Sequence, residues 1–194
     1  MSNLYIVFGL GNPGSEYAET RHNTGRDIVA RWCKQNDLPE FTENKKFLSL
    51  VSEGRINKSK IIAALPQIFM NNSGKAVSAV AKFYKAKPRQ IIIVHDDMDI
   101  PVGRMKISVG KSAGGHKGVA SCLRALKTLD VARFRIGTGK SIKWHERDLN
   151  KLVIAKFSPP EEQQLKKINK AASGALTLAI NEGVEAAMNE YNQQ

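Results

Sequence analysis

An apolar run that stops at once in glycine and proline is the strongest constraint on how this chain folds. Residues 4–8 read Leu-Tyr-Ile-Val-Phe and lead directly into Gly-Leu-Gly-Asn-Pro-Gly at positions 9–14. A short apolar segment bounded by turn residues predicts a buried strand, and the glycines and proline predict a sharp turn with one amide side chain, Asn12, at its tip. Open α/β sheets keep their sites at the carboxyl ends of central strands, so this turn marks a candidate site. Asparagine before proline is also a common turn residue, and a purely structural role fits it as well.

A second run, Ile91, Ile92, Ile93 and Val94, lies between Pro88 and the acids Asp96, Asp97 and Asp99, as a strand buried on both faces reads. Residues 46–52 and 60–65 predict two strands around a turn at 54–57. Residues 104–109 alternate Met105, Ile107 and Val109 with Arg104, Lys106 and Ser108, predicting a strand with one basic, wet face. Residues 133–137 predict a last short strand. Helical spacing marks 24–36, a segment from Ala76 to Tyr84 capped by Asn72 or Ser73, and a segment from Val119 to Leu126. C-terminal helices are expected over 159–191, after Pro159 and Pro160. Residues 137–157 begin as a polar, basic stretch without a period and are a candidate lid loop. Together these elements predict one α/β domain over 1–194, with a twisted mixed β-sheet and helices on both sides.

At 194 residues and 42% hydrophobic, the chain can bury a sizeable core, which excludes disordered and collagen-like classes. Its first apolar run has no basic flank and is too short for a signal sequence or a membrane span, so a cytoplasmic protein is expected. Cys33 and Cys122 lie far apart in helix-like patterns, which indicates neither a disulfide framework nor a zinc site. The net charge of +12 points to a polyanionic partner, the alternative being a solvated basic surface. Residues 104–170 hold 16 basic and 5 acidic residues, so nearly all the excess sits in one contiguous third.

Polar clusters recur where strands end or helices begin: Asn12, His22 with Asn23, Asn71, Asp96, and residues 114–117. A histidine with an orienting carboxylate is the minimum needed to activate a water molecule, and amide side chains can stabilise a developing oxyanion. Asn71 equally fits a helix cap. The acids at 96, 97 and 99 lack the spacing of a hard-metal loop, so no metal is expected. His95, ending an apolar run, reads as packed, and His145 as solvent-exposed. The glycines at 114–118 lack the spacing of either nucleotide fingerprint, and no serine sits in a nucleophile elbow.

In this order and spacing the clusters resemble the bacterial-type peptidyl-tRNA hydrolase family. The matching motifs are Gly-Leu-Gly-Asn-Pro-Gly at 9–14, Tyr17, Arg-His-Asn-Thr-Gly at 21–25, Phe-Met-Asn-Asn-Ser-Gly at 69–74, His-Asp-Asp-Met-Asp at 95–99, Gly-Gly-His-Lys-Gly at 114–118, and residues 133–139. The resemblance implies a monomeric α/β enzyme, without metal or cofactor, that hydrolyses the ester joining a peptide to the 3'-terminal ribose of tRNA. It further implies that His22 activates water, that Asp96 orients His22, and that Asn12 and Asn71 hold the peptide main chain and the terminal adenosine end. Tyr17, Met70, Gly114 and His116 would line the cleft, and Lys106 and Arg135 would grip tRNA phosphate. Lys117 stands where the family usually carries asparagine; it can donate but not accept, and is expected to meet a phosphate or the ribose. A non-catalytic RNA-binding protein of the same fold is the alternative, and a small-molecule α/β enzyme such as a nucleoside-processing one is a third reading.

Overall fold

The computed structural model describes residues 3–139 and 152–193. Seven strands form one sheet: β1 (Leu4–Gly9), β2 (Thr42–Asn44), β3 (Ser49–Ile56), β4 (Ser59–Pro66), β5 (Ile91–Pro101), β6 (Met105–Ser108) and β7 (Ala132–Gly139). Their order is β2-β3-β4-β1-β5-β7-β6. The central strands β4, β1, β5 and β7 are parallel, and antiparallel pairs close both edges. Helices α1 (Thr24–Gln35), α4 (Pro159–Glu182) and α5 (Val184–Tyr191) cover one face; α2 (Ser73–Phe83) and α3 (Lys117–Leu126) cover the other. This is the mixed α/β sheet expected from the sequence. No helix among the described residues is long and apolar enough to cross a membrane.

The continuous apolar runs follow from this layering. Val7, Ile92 and Val94 pack with α1 and α4, whereas Ile6, Phe8, Ile91 and Ile93 pack with α2 and α3. Both faces of residues 6–8 in β1 and 91–94 in β5 are dry, and each buried isoleucine contributes about 1.5–3 kcal/mol. Cys33 and Cys122 are free and buried, one in each layer, and burial pushes both thiols up to about 12.

Five local expectations are corrected. The β3–β4 turn lies at Asn57 and Lys58, not at 54–57; Gly54 is mid-strand opposite Ile61, where Leu38 fills the space of its missing side chain. A 3-10 turn at Lys45–Phe47, capped by the Asn44 side chain, delays β3. Strand β5 does not stop at Val94 but runs through the acids, because Gly137 and Gly139 of β7 leave room for the Pro101 and Met98 carbonyls. The first residues of the candidate lid, 137–139, are therefore buried strand, and 140–151 lie outside the described residues, His145 among them. Ser108, expected on a wet face, is buried opposite Arg133.

Parallel pairing places the carboxyl ends of β1, β4 and β5 side by side. The first turn of α1 rests directly on that end. Arg26 N–H donates to the Leu10 carbonyl at 2.9 Å, and a Cβ on Gly25 would collide with the Val94 carbonyl oxygen. Glycine at 25 thus sets how closely the preceding residues, His22 among them, approach the end of β5.

Candidate active site

Asp96 is the centre of the site, 1% exposed at the carboxyl half of β5. Its Oδ1 lies 2.9 Å from His22 Nδ1 and 2.9 Å from His116 Nε2, and its Oδ2 lies 3.0 Å from His22 Nδ1. His22 comes from the 3-10 turn Arg21–Asn23 that opens α1, and His116 is the N-cap of α3. One carboxylate therefore joins the ends of two helices on opposite faces of the sheet.

The hydrogen-bond network assigns the protons. Val119 N–H donates to His116 Nδ1 at 3.1 Å, so the His116 proton sits on Nε2 and donates to Asp96. An ionised carboxylate only accepts, so His22 Nδ1–H donates to it as well. His22 Nε2 then keeps its lone pair, with no protein partner among the described residues, on a side chain that is 14% exposed. Burial alone would raise the Asp96 pKa, but His116 and His22, by charge and by hydrogen bonding, outweigh it and hold the carboxyl well below the usual carboxylate range.

His95 is packed, as expected, fully buried with its ring centroid 4.8 Å from that of His116. Burial keeps it well below the usual histidine range, and it donates from Nδ1 to the Asp96 carbonyl at 2.7 Å. His22, Asp96 and His116 each offer one ligand atom within 4.8 Å of the others, a donor set of the kind that suits a metal ion. Here those atoms are engaged with one another.

Asn12 is locked from three sides. Its N–H donates to Asn23 Oδ1 at 2.8 Å, its carbonyl accepts from Asn23 Nδ2 at 3.0 Å, and its Oδ1 accepts from Met70 N–H at 2.8 Å. With Oδ1 committed, only the two donors of Nδ2 remain for another molecule. The expected cap role at α2 falls neither to Asn71 nor to the Asn72 side chain; Ser73 donates back to the Met70 carbonyl instead.

The remaining expected residues separate into groups. Met70 is buried, with its sulfur against Gly118, and forms part of the wall between α2 and α3. Tyr17 packs edge-on against the exposed Phe69 at 6.3 Å. Asn71, Gly114 and Lys117 are exposed, and Gly114 adopts φ 57°, which favours glycine. Lys106 and Arg135 face each other across β6 and β7, and Arg135 is also opposite His95. Arg135 Nε donates to Asp97 Oδ2 at 2.7 Å. Two supports were missed in the sequence. Asn23, which locks Asn12, was visible only as part of a cluster; Arg21, fully buried beside His22, gave no signal that distinguishes it from a surface arginine.

Comparison with known proteins places this geometry. The family model for peptidyl-tRNA hydrolase matches residues 6–194. A peptidyl-tRNA hydrolase of Desulfitobacterium hafniense is 40% identical over 194 residues, covering 98% of this chain and all of the relative. One from Aquifex aeolicus is 39% identical, covering 99% and 98%. The crystal structure of the Acinetobacter baumannii peptidyl-tRNA hydrolase superposes with a TM-score of 0.90 at 32% identity, over 99% of this chain and 96% of that one. A methylthioadenosine nucleosidase of Arabidopsis thaliana shares only the fold, at a TM-score of 0.52 and 13% identity. A match across nearly the whole length, in sequence and in backbone, means that the chain belongs to the peptidyl-tRNA hydrolase family.

Proposed function

We propose that the protein hydrolyses the ester between a peptide and the 3'-terminal ribose of tRNA, with His22 as general base. The observation that carries this reading is His22 held by Nδ1 on an ionised Asp96, with Nε2 left to accept a proton. An ester is already activated, so a held water, a base and an oxyanion donor suffice.

In the reaction, His22 Nε2 takes a proton from water as the oxygen attacks the ester carbonyl. The carbonyl electrons move onto oxygen, where Asn12 Nδ2 donates to the oxyanion. Collapse expels the ribose oxygen, which receives the proton from the His22 imidazolium. The products are a peptide carboxylic acid, which releases its proton to solvent, and a tRNA with a free terminal hydroxyl. His116 has both ring nitrogens engaged, so its part is to orient Asp96. Tyr17, Met70, Asn71, Gly114 and Lys117 would line the cleft that takes the peptide and the terminal nucleotides. Lys106 and Arg135 would contact phosphate. The enzyme would act as a monomer in the cytoplasm, without a cofactor.

The test is an N-acetyl-aminoacyl-tRNA assay with the wild type and His22→Ala. Ester cleavage by the wild type is expected, and turnover but not tRNA binding should be lost in the variant. A wild type that binds tRNA without cleaving it replaces this reading with that of a non-catalytic RNA-binding protein.

A further inference from the structure

The two faces of the sheet differ in charge. No acidic residue occurs between Glu53 and Asp96, nor between Asp99 and Asp130, and these two stretches supply α2 and α3. The opposite layer is mixed: α1 carries Asp27, α4 carries Glu161, Glu162 and Glu182, and α5 carries Glu185 and Glu190. Surface helices gain from oppositely charged residues three or four apart, and α2 and α3 contain no such pair. Their cations have no internal use.

Those cations line a groove. Lys75, Ser78 and Lys82 project from α2, and Ser121 and Arg124 from α3, around a cavity of about 500 Å³. Lys75 and Lys82 are seven residues apart on α2, as are Lys117 and Arg124 on α3, so each pair falls on one stripe of its helix, spaced ~10 Å along the axis. Among the described residues none of these four forms an ion pair or a hydrogen bond through its side chain. The helices approach closely between the stripes, where a Cβ on Gly74 would collide with the Ser121 carbonyl and Gly74 N–H donates to Ser121 Oγ at 3.0 Å. The floor is therefore backbone, serine hydroxyls and the methyl groups of Ala79 and Ala125, with cations on both banks.

Asn71 stands at one end of the groove, directly after Met70, whose N–H is held by Asn12. The groove thus opens beside the catalytic turn. An unpaired cationic groove with hydroxyls and no acid fits a sugar-phosphate chain, which needs regularly spaced positive charge and no base-specific contact.

We propose that the groove between α2 and α3 carries the RNA backbone of the substrate, gripped by Lys75, Lys82 and Arg124. This rests on the proposed hydrolysis of peptidyl-tRNA and adds a second binding surface to the one around Lys106 and Arg135.

The experiment compares wild type, Lys82→Gln/Arg124→Gln, and a control, Lys34→Gln/Lys58→Gln, altered away from the groove. Two substrates are used: N-acetyl-aminoacyl-tRNA and the same ester on the terminal CCA trinucleotide. In the groove variant, KM for the tRNA substrate is expected to rise about tenfold with kcat unchanged, and the slope of log KM against log salt to fall by about 2. The trinucleotide ester and the control variant should behave as wild type. An unchanged KM and slope on tRNA, or an equal loss on the trinucleotide, overturns the proposal. Should the wild type cleave neither substrate, the hydrolase reading fails by itself, and tRNA affinity measured by filter binding then decides the groove. A weaker groove variant supports it, and equal affinity overturns it.

Discussion

At the scale of single residues, two side chains each combine a structural bond with a chemical one, and substitutions can pull these apart. Asn12 uses Oδ1 to hold Met70 N–H and leaves Nδ2 to donate. Asn12→Asp preserves the acceptor and replaces the donor with an oxygen that repels an oxyanion. We expect an intact fold and a fall in kcat of about 10²- to 10³-fold, the usual cost of one oxyanion donor. Wild-type kcat in this variant reduces Asn12 to a turn residue. Asp96→Asn keeps the shape of the carboxylate but sets an amide beside two imidazoles. To meet its N–H, His22 must move its proton to Nε2, the atom that has to accept. Turnover is expected to drop by about 10²- to 10⁴-fold with tRNA affinity retained, measured by single-turnover kinetics and direct binding. Loss of binding instead of turnover would mean that Asp96 serves recognition.

At the scale of elements, the turn that carries His22 is tied to the start of α4 through the residue just before it. Arg21 is fully buried, donates from Nη1 to the Thr138 carbonyl at 2.8 Å and from Nη2 to Glu161 Oε2 at 2.6 Å, and lies over the Phe157 ring at 4.6 Å. Its N–H donates to the Ala155 carbonyl at 3.0 Å. Glu161 also closes a capping box with Ser158. Removing it leaves a buried guanidinium without its anion, so Glu161→Ala should cost about 3 kcal/mol, or ~8 °C in Tm. Burial raises the Glu161 pKa, but the bonds from Ser158 and Arg21 outweigh it, and the net shift is downward. A carboxyl with a lowered folded pKa stabilises above its unfolded value, ~4.3, and loses that contribution as pH falls through the folded value. The Tm gap between wild type and variant is therefore expected to be full at pH 7 and to close below about pH 4. A gap that persists in acid would make the effect one of packing.

These links also mark what can be read in the chain and what cannot. Asn12, His22 and Asp96 announce themselves through local spacing, because a turn after a strand is a local event. The ion pair of Arg21 with Glu161 spans 140 positions. The insertion of β7 between β5 and β6, and the extension of β5 through its acids, depend on Gly137 and Gly139 meeting a distant strand. Nothing in the period of either segment reports such encounters.

At the scale of the whole molecule, charge placement decides how the substrate is held. Asp97 already partners Arg135, and it must be outcompeted or share that cation when a phosphate arrives. Lys106, exposed on the neighbouring edge strand, has no anion among the described residues. With Lys106 and Arg135 on one side and Lys75, Lys82 and Arg124 in the helix groove, about five phosphates would be neutralised. Each releases condensed counterions, giving a slope of roughly −0.7 to −0.9 per phosphate in log affinity against log salt. Five contacts predict a loss of roughly 100- to 500-fold in tRNA affinity between ~50 and ~200 mM salt. Exposed cations spread over the rest of the surface contribute little here, because at these ionic strengths charges beyond about 10 Å from a phosphate are largely screened. The measurement is KM for N-acetyl-aminoacyl-tRNA across a salt series, beside the same ester on a trinucleotide, which should vary far less. A flat response for the full tRNA would show that the basic excess does not grip the substrate and that the acid-free face serves another end.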